Sequence, residues 1–359
     1  MMSNHLKFIN LAHDVASKNL GKTFPNPTVG CVISKNNIII SKAVTSATGR
    51  PHAEEIALKK AGKKAKGAIM YVTLEPCFHN SQNGSCADQI LRSGINKIYI
   101  SCIDEDSRTK KKSISKLKKN KIKVITGIEK DKTISVNNFY FKSLKKKKPF
   151  TKVKMAISND NKIAWSNYKS KWISNSKSRA YVHSLREKTQ AILTTSKTIL
   201  RDNPRFTVRK KNKIIKNLNV IIIDKNLNIP LNINLLKNLH ERRVIIFTSK
   251  KNNKSQKLKQ LGCEIIEMKI VNNKFDLKKI FSHIYQLKIS DLMVEAGGIL
   301  FADLIKNNLV DEILLFKAPY IIGEKGVPVI EGNSLNNIKK KLLEMIKFDD
   351  NLYLKYAIK

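Results

Sequence analysis

The chain has 359 residues, enough for two domains that each bury a core, and no apolar run approaches the roughly eighteen residues a membrane helix needs. Lys and Arg number 69 against 28 Asp and Glu, a net charge of +41. The lysines are interleaved with Asn and Ile along the whole chain (KKNKIIKNLN, SKKNNKSQKLKQ) without the aromatics on which single strands stack, so they read as solvated surface and no specific nucleic-acid partner is expected.

In chain order, the opening MMSNHLKFINLAHDVASKNLGK lacks the apolar core and small-residue cleavage site of a secretory leader, so a cytoplasmic protein without membrane attachment is expected. Its apolar spacing predicts an amphipathic helix over about 5–19. Strands follow at TVGCVIS (28–34) and NIIISKAV (37–44), a helix near 53–61, a strand at AIMYVTL (68–74) and a helix near 86–93. KIYISCI (97–103) and IKVITGI (122–128) read as strands around a lysine-rich helix, which makes this half a mixed α/β layer. The run KKKKPF (145–150) joins charge repulsion to a proline stop and marks a boundary, giving domains 1–146 and 147–359. Beyond it, FTKVKMAIS, QAILTT, NVIIID, RVIIFTS, DLMVEAGG and EILLFKAPYIIG alternate with helical stretches near 176–188, 276–287 and 299–308, implying a second α/β sheet.

Five cysteines, odd in number and unevenly spread, make no disulfide framework in a chain of this length. Two of them close the stretch HAEEIALKKAGKKAKGAIMYVTLEPCFHNSQNGSC (52–86). A catalytic zinc takes three protein ligands and leaves a fourth position open, and one imidazole with two thiolates is such a set. His52, Cys77 and Cys86 supply it. The apolar spacing of Ala53, Ile56, Ala57, Leu58 and Ala61 suits a helix whose first turn carries His52 and Glu54. YVTLEPC reads as a strand stopped at Pro76 that delivers Cys77, and Cys86 enters the next helix, so all three ligands share one end of the sheet. Zinc lowers the pKa of a bound water to about 7, and Glu54 is then the proton shuttle to a leaving amine. His-x-Glu followed by Pro-Cys and a further Cys is the zinc-deaminase pattern, with eight residues instead of two between the cysteines. A structural zinc site is the alternative. Cys31, Cys102 and Cys263 lie in apolar runs and read as small buried hydrophobes.

PNPTVGCVI (25–33), HAE (52–54), YVTLEPC (71–77) and the cysteine nine positions beyond Cys77 resemble the bifunctional riboflavin-biosynthesis deaminase/reductase family. KWIS (171–174), AILTTSKTILRDNPRFTVR (191–209) and VEAGGILFADLI (294–305) are similar to its reductase half. The resemblance implies an N-terminal cytidine-deaminase-like three-layer α/β domain and a C-terminal dihydrofolate-reductase-like domain. It implies zinc-dependent hydrolytic deamination of 2,5-diamino-6-(5-phosphoribosylamino)pyrimidin-4-one, then NADPH reduction of the ribosyl group to ribityl, by a homo-oligomer. Carried over by position, His52, Cys77 and Cys86 hold zinc, Glu54 is the catalytic proton donor and Asn26 a substrate contact. Ala156, Trp172, Thr198, Asp202 and the segment Gly297, Gly298, Ile299, Leu300, Phe301, Ala302, Asp303 would meet the cofactor. Ser170, Arg186, Phe206, Arg209 and Glu295 would meet the phosphoribosyl substrate.

Some of these have physical reasons of their own. A planar guanidinium grips a sugar phosphate bidentately, although Arg186 and Arg209 taken alone are two charges among many. Glycines ahead of a helix let backbone amides approach a cofactor phosphate, or simply form a strand-to-helix turn. Trp172, without its flanking motif, would be assigned to the core. The sequence departs from the family at Thr45 (usually His), at SQNGS (81–85, where a basic residue usually stands at Gln82), at DEDS (104–107), at NDN (159–161) and at Lys225 (usually Ser). Asp104 survives, and Asn161 tolerates a left-handed backbone. Two other readings are a nucleic-acid or nucleoside deaminase docking through its basic surface, and an RNA-binding protein using zinc structurally. The long cysteine spacing and the attached second domain argue against the first, and the second predicts that replacing Glu54 leaves function intact.

Overall fold

Residues 2–79, 84–168, 172–211, 213–331 and 338–358 are described by a computed structural model, in which the chain divides into two units, Met1–Lys147 and Lys148–Lys359. Among the described residues no helix is long and apolar enough to cross a membrane.

The first unit runs α1 (Met2–Ser17), β1 (Gly30–Lys35), β2 (Ile38–Val44), α2 (Ala53–Ala61), β3 (Ile69–Leu74), α3 (Cys86–Arg92), β4 (Lys97–Cys102), α4 (Lys112–Lys119), β5 (Lys123–Thr126), α5 (Lys130–Val136) and α6 (Asn138–Lys146). Its sheet has the order β2-β1-β3-β4-β5, with β1 antiparallel to both neighbours and β3, β4 and β5 parallel. Because successive strand side chains alternate between faces, Cys31, Ile33, Met70, Val72, Ile98 and Ile100 turn one way, under α2, α3 and α4. Val32, Tyr71 and Tyr99 turn the other way, under Phe8, Ile9 and Ala12 of α1. The result is the three-layer domain that the resemblance implied. α1 crosses β1 so closely that a Cβ at Gly30 would lie 1.9 Å from the carbonyl oxygen of Ala12.

α5 and α6 are absent from the sequence reading. Thr133, Ile134 and Val136 are poor helix formers, and the lysine runs read as loop. Tertiary hydrogen bonds override that preference: Thr133 Oγ1 donates to Thr73 O at 2.8 Å, and the Asn137 amide clasps Thr28 N and O at 2.8 and 3.0 Å.

The second unit begins with β6 (Phe150–Ile157), β7 (Lys162–Ala164), α7 (Ser176–Glu187), β8 (Ala191–Thr195), α8 (Ser196–Asp202), β9 (Thr207–Lys210), β10 (Lys213–Asn217) and β11 (Asn219–Ile223). It continues through β12 (Val244–Thr248), α9 (Asn253–Gln260), β13 (Glu264–Glu267), β14 (Ile270–Val271), β15 (Lys274–Phe275), α10 (Leu277–Gln286) and β16 (Asp291–Val294). It ends with α11 (Gly298–Lys306), β17 (Glu312–Lys317), β18 (Val327–Pro328), β19 (Lys340–Phe348) and β20 (Asn351–Ile358). Nine strands form one sheet in the order β13-β12-β11-β8-β16-β6-β17-β20-β19, parallel from β13 to β17 and antiparallel beyond. Cores lie on both of its faces, one built on Val153, Leu193, Phe247 and Phe281 and the other on Ile192, Ile222, Met293 and Tyr353. Asn161 takes φ 60 at the turn after β6, the left-handed backbone expected of it.

Candidate active sites

The first site sits where β3 and the helices α2 and α3 meet. His52 is the extended residue capping α2, whose first turn carries Glu54 and Glu55 and whose last carries Lys59 and Lys60, so both ends suit the helix dipole. Cys86 opens α3, which Ser85 and Asp88 cap reciprocally. Cys77 follows the end of β3 and takes a hydrogen bond from Cys86 N to its Sγ at 3.3 Å, while His52 Nδ1 lies 3.3 Å from Cys86 Sγ. The nitrogen and two sulfurs of His52, Cys77 and Cys86 lie within 4.8 Å of one another. A hydrogen bond from the Cys86 thiol, then that from His52, pulls the Cys77 thiol far below the ordinary thiol range.

That donor set fits a zinc ion: one imidazole and two sulfurs, one already favoured as thiolate, converge on one point beside a buried acid. Glu54 is only 3% exposed, and burial raises its carboxyl to about 7. Cys31, Cys102 and Cys263 are buried in the cores, as small hydrophobes.

Thr45 spends its hydroxyl on Val29 N at 3.1 Å and is buried. Asn26 donates to Gly49 O at 3.1 Å, beside the loop that leads to His52. Asp104 accepts from Asp106 N and from the Tyr140 hydroxyl, and burial raises it to about 6. Gln82 lies outside the described residues.

The second site is a cavity of about 660 Å³. Thr198 and Glu295 reach it from just past the carboxyl ends of β8 and β16, Ala156 from near that of β6 and Asp202 from the end of α8, at the edge where open parallel sheets bind ligands. Trp172, Arg186, Phe206 and Arg209 line it too, as do Gly297 and Gly298. Of the remaining cofactor segment, Leu300, Phe301 and Ala302 are buried in α11, Ile299 is exposed, and Asp303 pairs with Lys274 at 3.5 Å. Ser170 lies outside the described residues.

A Cβ at Gly298 would press within 2.9 Å of Pro328 O and Val329 O, whereas one at Gly297 would meet nothing within 4 Å. Gly297 therefore keeps the start of α11 open, and among the described residues no side chain caps it. Uncapped amides at the mouth of a large cavity fit a nucleotide cofactor's phosphates.

Arg186 holds Glu295 through two hydrogen bonds, of 2.7 and 2.9 Å, instead of reaching freely into the cavity. Lys154, missing from the sequence reading, joins them: its Nζ is 3.8 Å from Glu295, and burial lowers its pKa. FTKVKMAI held the signal, since two lysines alternating inside a central apolar strand need partners. Lys152 finds Asp291 at 2.7 Å and Lys154 finds Glu295. Lys225, where the family has serine, bonds Asn273 Oδ1 at 2.6 Å.

Comparisons with known proteins agree over both units. The cytidine and deoxycytidylate deaminase zinc-binding region matches residues 2–102, and the RibD C-terminal domain matches residues 149–354. The riboflavin biosynthesis protein RibD of Aquifex aeolicus is 36% identical over 344 residues, 93% of this chain and 94% of its own. RibD of Acinetobacter baumannii superposes with a TM-score of 0.91 at 28% identity, covering 100% of both chains. The diaminohydroxyphosphoribosylaminopyrimidine deaminase/5-amino-6-(5-phosphoribosylamino)uracil reductase of Thermotoga maritima does so with a TM-score of 0.86 at 28% identity, covering 99% of both. With two chemically distinct sites on one chain and relatives alike along nearly its whole length, the protein belongs to the RibD family, bifunctional riboflavin-biosynthesis enzymes that join a zinc-binding deaminase unit to a reductase unit.

Proposed function

We propose that residues 1–146 deaminate 2,5-diamino-6-(5-phosphoribosylamino)pyrimidin-4-one and that residues 147–359 then reduce the ribosyl group to ribityl with NADPH. The observation that carries the first step is the convergence of His52, Cys77 and Cys86 beside the buried carboxyl of Glu54. In this reading those three residues hold zinc, which when bound supplies Lewis-acid activation of water. Glu54 takes a proton from the attacking water at a carboxylate oxygen. It returns a proton to the amino group as the carbon–nitrogen bond breaks, so that water enters and ammonia leaves. A carboxyl poised at about 7 suits both transfers at neutral pH. Asn26 and Asp104 orient the pyrimidine.

For the second step, NADPH supplies the hydride when bound. Gly297 and the start of α11 receive its phosphates, with Ala156, Trp172, Thr198 and Asp202 along the cavity wall. Arg209 and Phe206 hold the phosphoribosyl chain, and Arg186 fixes Glu295. Lys154 Nζ, buried in the same cavity with a lowered pKa, supplies the proton that the opened sugar ring takes up. A cytoplasmic setting is supported by five unpaired cysteines. A homo-oligomer acting on this small molecule, with no specific nucleic-acid partner, completes the reading.

The test is to give the purified protein the diaminopyrimidine nucleotide with and without NADPH, following ammonia and nicotinamide absorbance separately. Ammonia without NADPH, and absorbance loss only after deamination, is the expected result. Ammonia without any reduction limits the assignment to the first unit, and neither signal discards it.

A further inference from the structure

The substrate proposed above carries a phosphate one ribose away from the reacting ring, so the deaminase pocket needs a cation at that distance. Three loops around the His52–Cys77–Cys86 cluster bring basic side chains together: Arg50 before α2, His79 after β3 and Arg108 after β4. They are not equivalent. Arg108 is already neutralised by Asp106, with hydrogen bonds from Nε to both carboxylate oxygens at 3.0 Å and from Nη2 to Oδ2 at 2.5 Å. Arg50 has no carboxylate partner among the described residues. Its Nη2 instead lies 3.5 Å from Nε2 of His79. The other nitrogen of that imidazole, Nδ1, is buried and has no hydrogen-bond partner among the described residues. An exposed guanidinium with no carboxylate partner among the described residues, steadied by an imidazole, is an arrangement that a bound anion completes.

The backbone beneath Arg50 is fixed in advance. Thr48 N donates to Lys22 O at 2.9 Å, Gly49 N to Ser46 O at 3.0 Å and Ser46 N to Pro51 O at 3.1 Å. Gly49 sits at φ +88 with its Cα packed on Asn26, where a Cβ would come within 2.4 Å of the Asn26 amide nitrogen. Arg50 itself is extended, with φ −145 and ψ 149. Arg50 stands two residues before the ligand His52, and Asn26 donates to Gly49 O at 3.1 Å just ahead of it.

We propose that Arg50, seated against His79, is the anchor for the substrate phosphate in the deaminase pocket and thereby selects nucleotide over nucleoside. The assignment rests on the deaminase reading above. Arg50 is a specificity residue and touches no reacting atom.

The test is steady-state ammonia release by the full chain with zinc bound, using the diaminopyrimidine nucleotide and its dephosphorylated nucleoside in parallel. Losing a charge-assisted contact to phosphate, Arg50→Gln raises KM for the nucleotide about tenfold or more while kcat stays within about twofold. Its kinetics with the nucleoside and its zinc content match those of the parent. Arg50→Lys recovers part of the loss, because it restores the charge without the planar fork. Equal losses with both substrates, or an unchanged KM for the nucleotide, overturn the anchor. Failure of the parent to release ammonia from either compound overturns the deaminase reading and the anchor with it.

Discussion

Glu54 illustrates how one side chain's surroundings set its chemistry. Burial in the first turn of α2 raises its carboxyl to about 7, where giving and taking a proton near neutrality are almost equally easy. Glu54→Gln keeps the shape and removes the proton, so ammonia release falls about 10²–10⁴-fold while zinc stays bound, as metal analysis on the same sample shows. An equal loss of zinc would make Glu54 a support for the site and not its shuttle. Glu295 shows the opposite sign. Burial alone would raise it, but the charges of Arg186 and Lys154 outweigh burial and set it at about 2. A carboxyl held below its ordinary value of 4.5 lends stability that is complete above that pH and is lost as pH falls from 4.5 towards 2. Urea midpoints of the parent therefore fall more steeply below pH 4.5 than those of Glu295→Gln. Parallel slopes would contradict the pairing. At this scale the sequence was informative where chemistry restricts residue choice: a His, two Cys and a Glu at those spacings have few uses. For Lys154 it showed only that a lysine alternating inside an apolar strand needs a partner, and the fold supplied that partner as Glu295.

At the scale of elements, alternation made the inner strands readable. Cys31, Val32 and Ile33, like Met70, Tyr71 and Val72, are apolar on both faces because helices cover both sides of the sheet. The C-terminal hairpin of β19 and β20 escaped notice because KKLLEMIKF is exposed along most of its length and shows no period of two. Its turn depends on Asp349 at φ 55, a conformation that aspartate tolerates. α5 and α6 escaped for the converse reason, tertiary hydrogen bonds holding sequences of weak helix propensity. α1 and β1 meet at Gly30, where α1 leaves no room for a methyl group. Gly30→Ala forces α1 off the sheet and costs roughly 1–3 kcal/mol or more, read as a lowered urea midpoint of the first unit. A midpoint equal to the parent's would show that α1 can slide.

At the scale of the whole molecule, each unit has its own sheet and its own buried clusters. Separately expressed fragments 1–147 and 148–359 are therefore expected to fold, the first releasing ammonia without NADPH and the second oxidising NADPH only when given the deaminated nucleotide. An insoluble or inactive fragment would mean that one unit needs the other. The net charge of +41 comes mostly from lysines spread along the whole chain, and only a few basic side chains, Lys154, Arg186 and Arg209 among them, line the second site. What both the fold and the sequence single out first is the cluster of His52, Cys77 and Cys86. X-ray absorption at the zinc edge, on protein purified without chelators, tests it most directly. The account predicts two sulfurs at about 2.3 Å and one nitrogen at about 2.0 Å. Protein free of zinc, or zinc without sulfur neighbours, would contradict it.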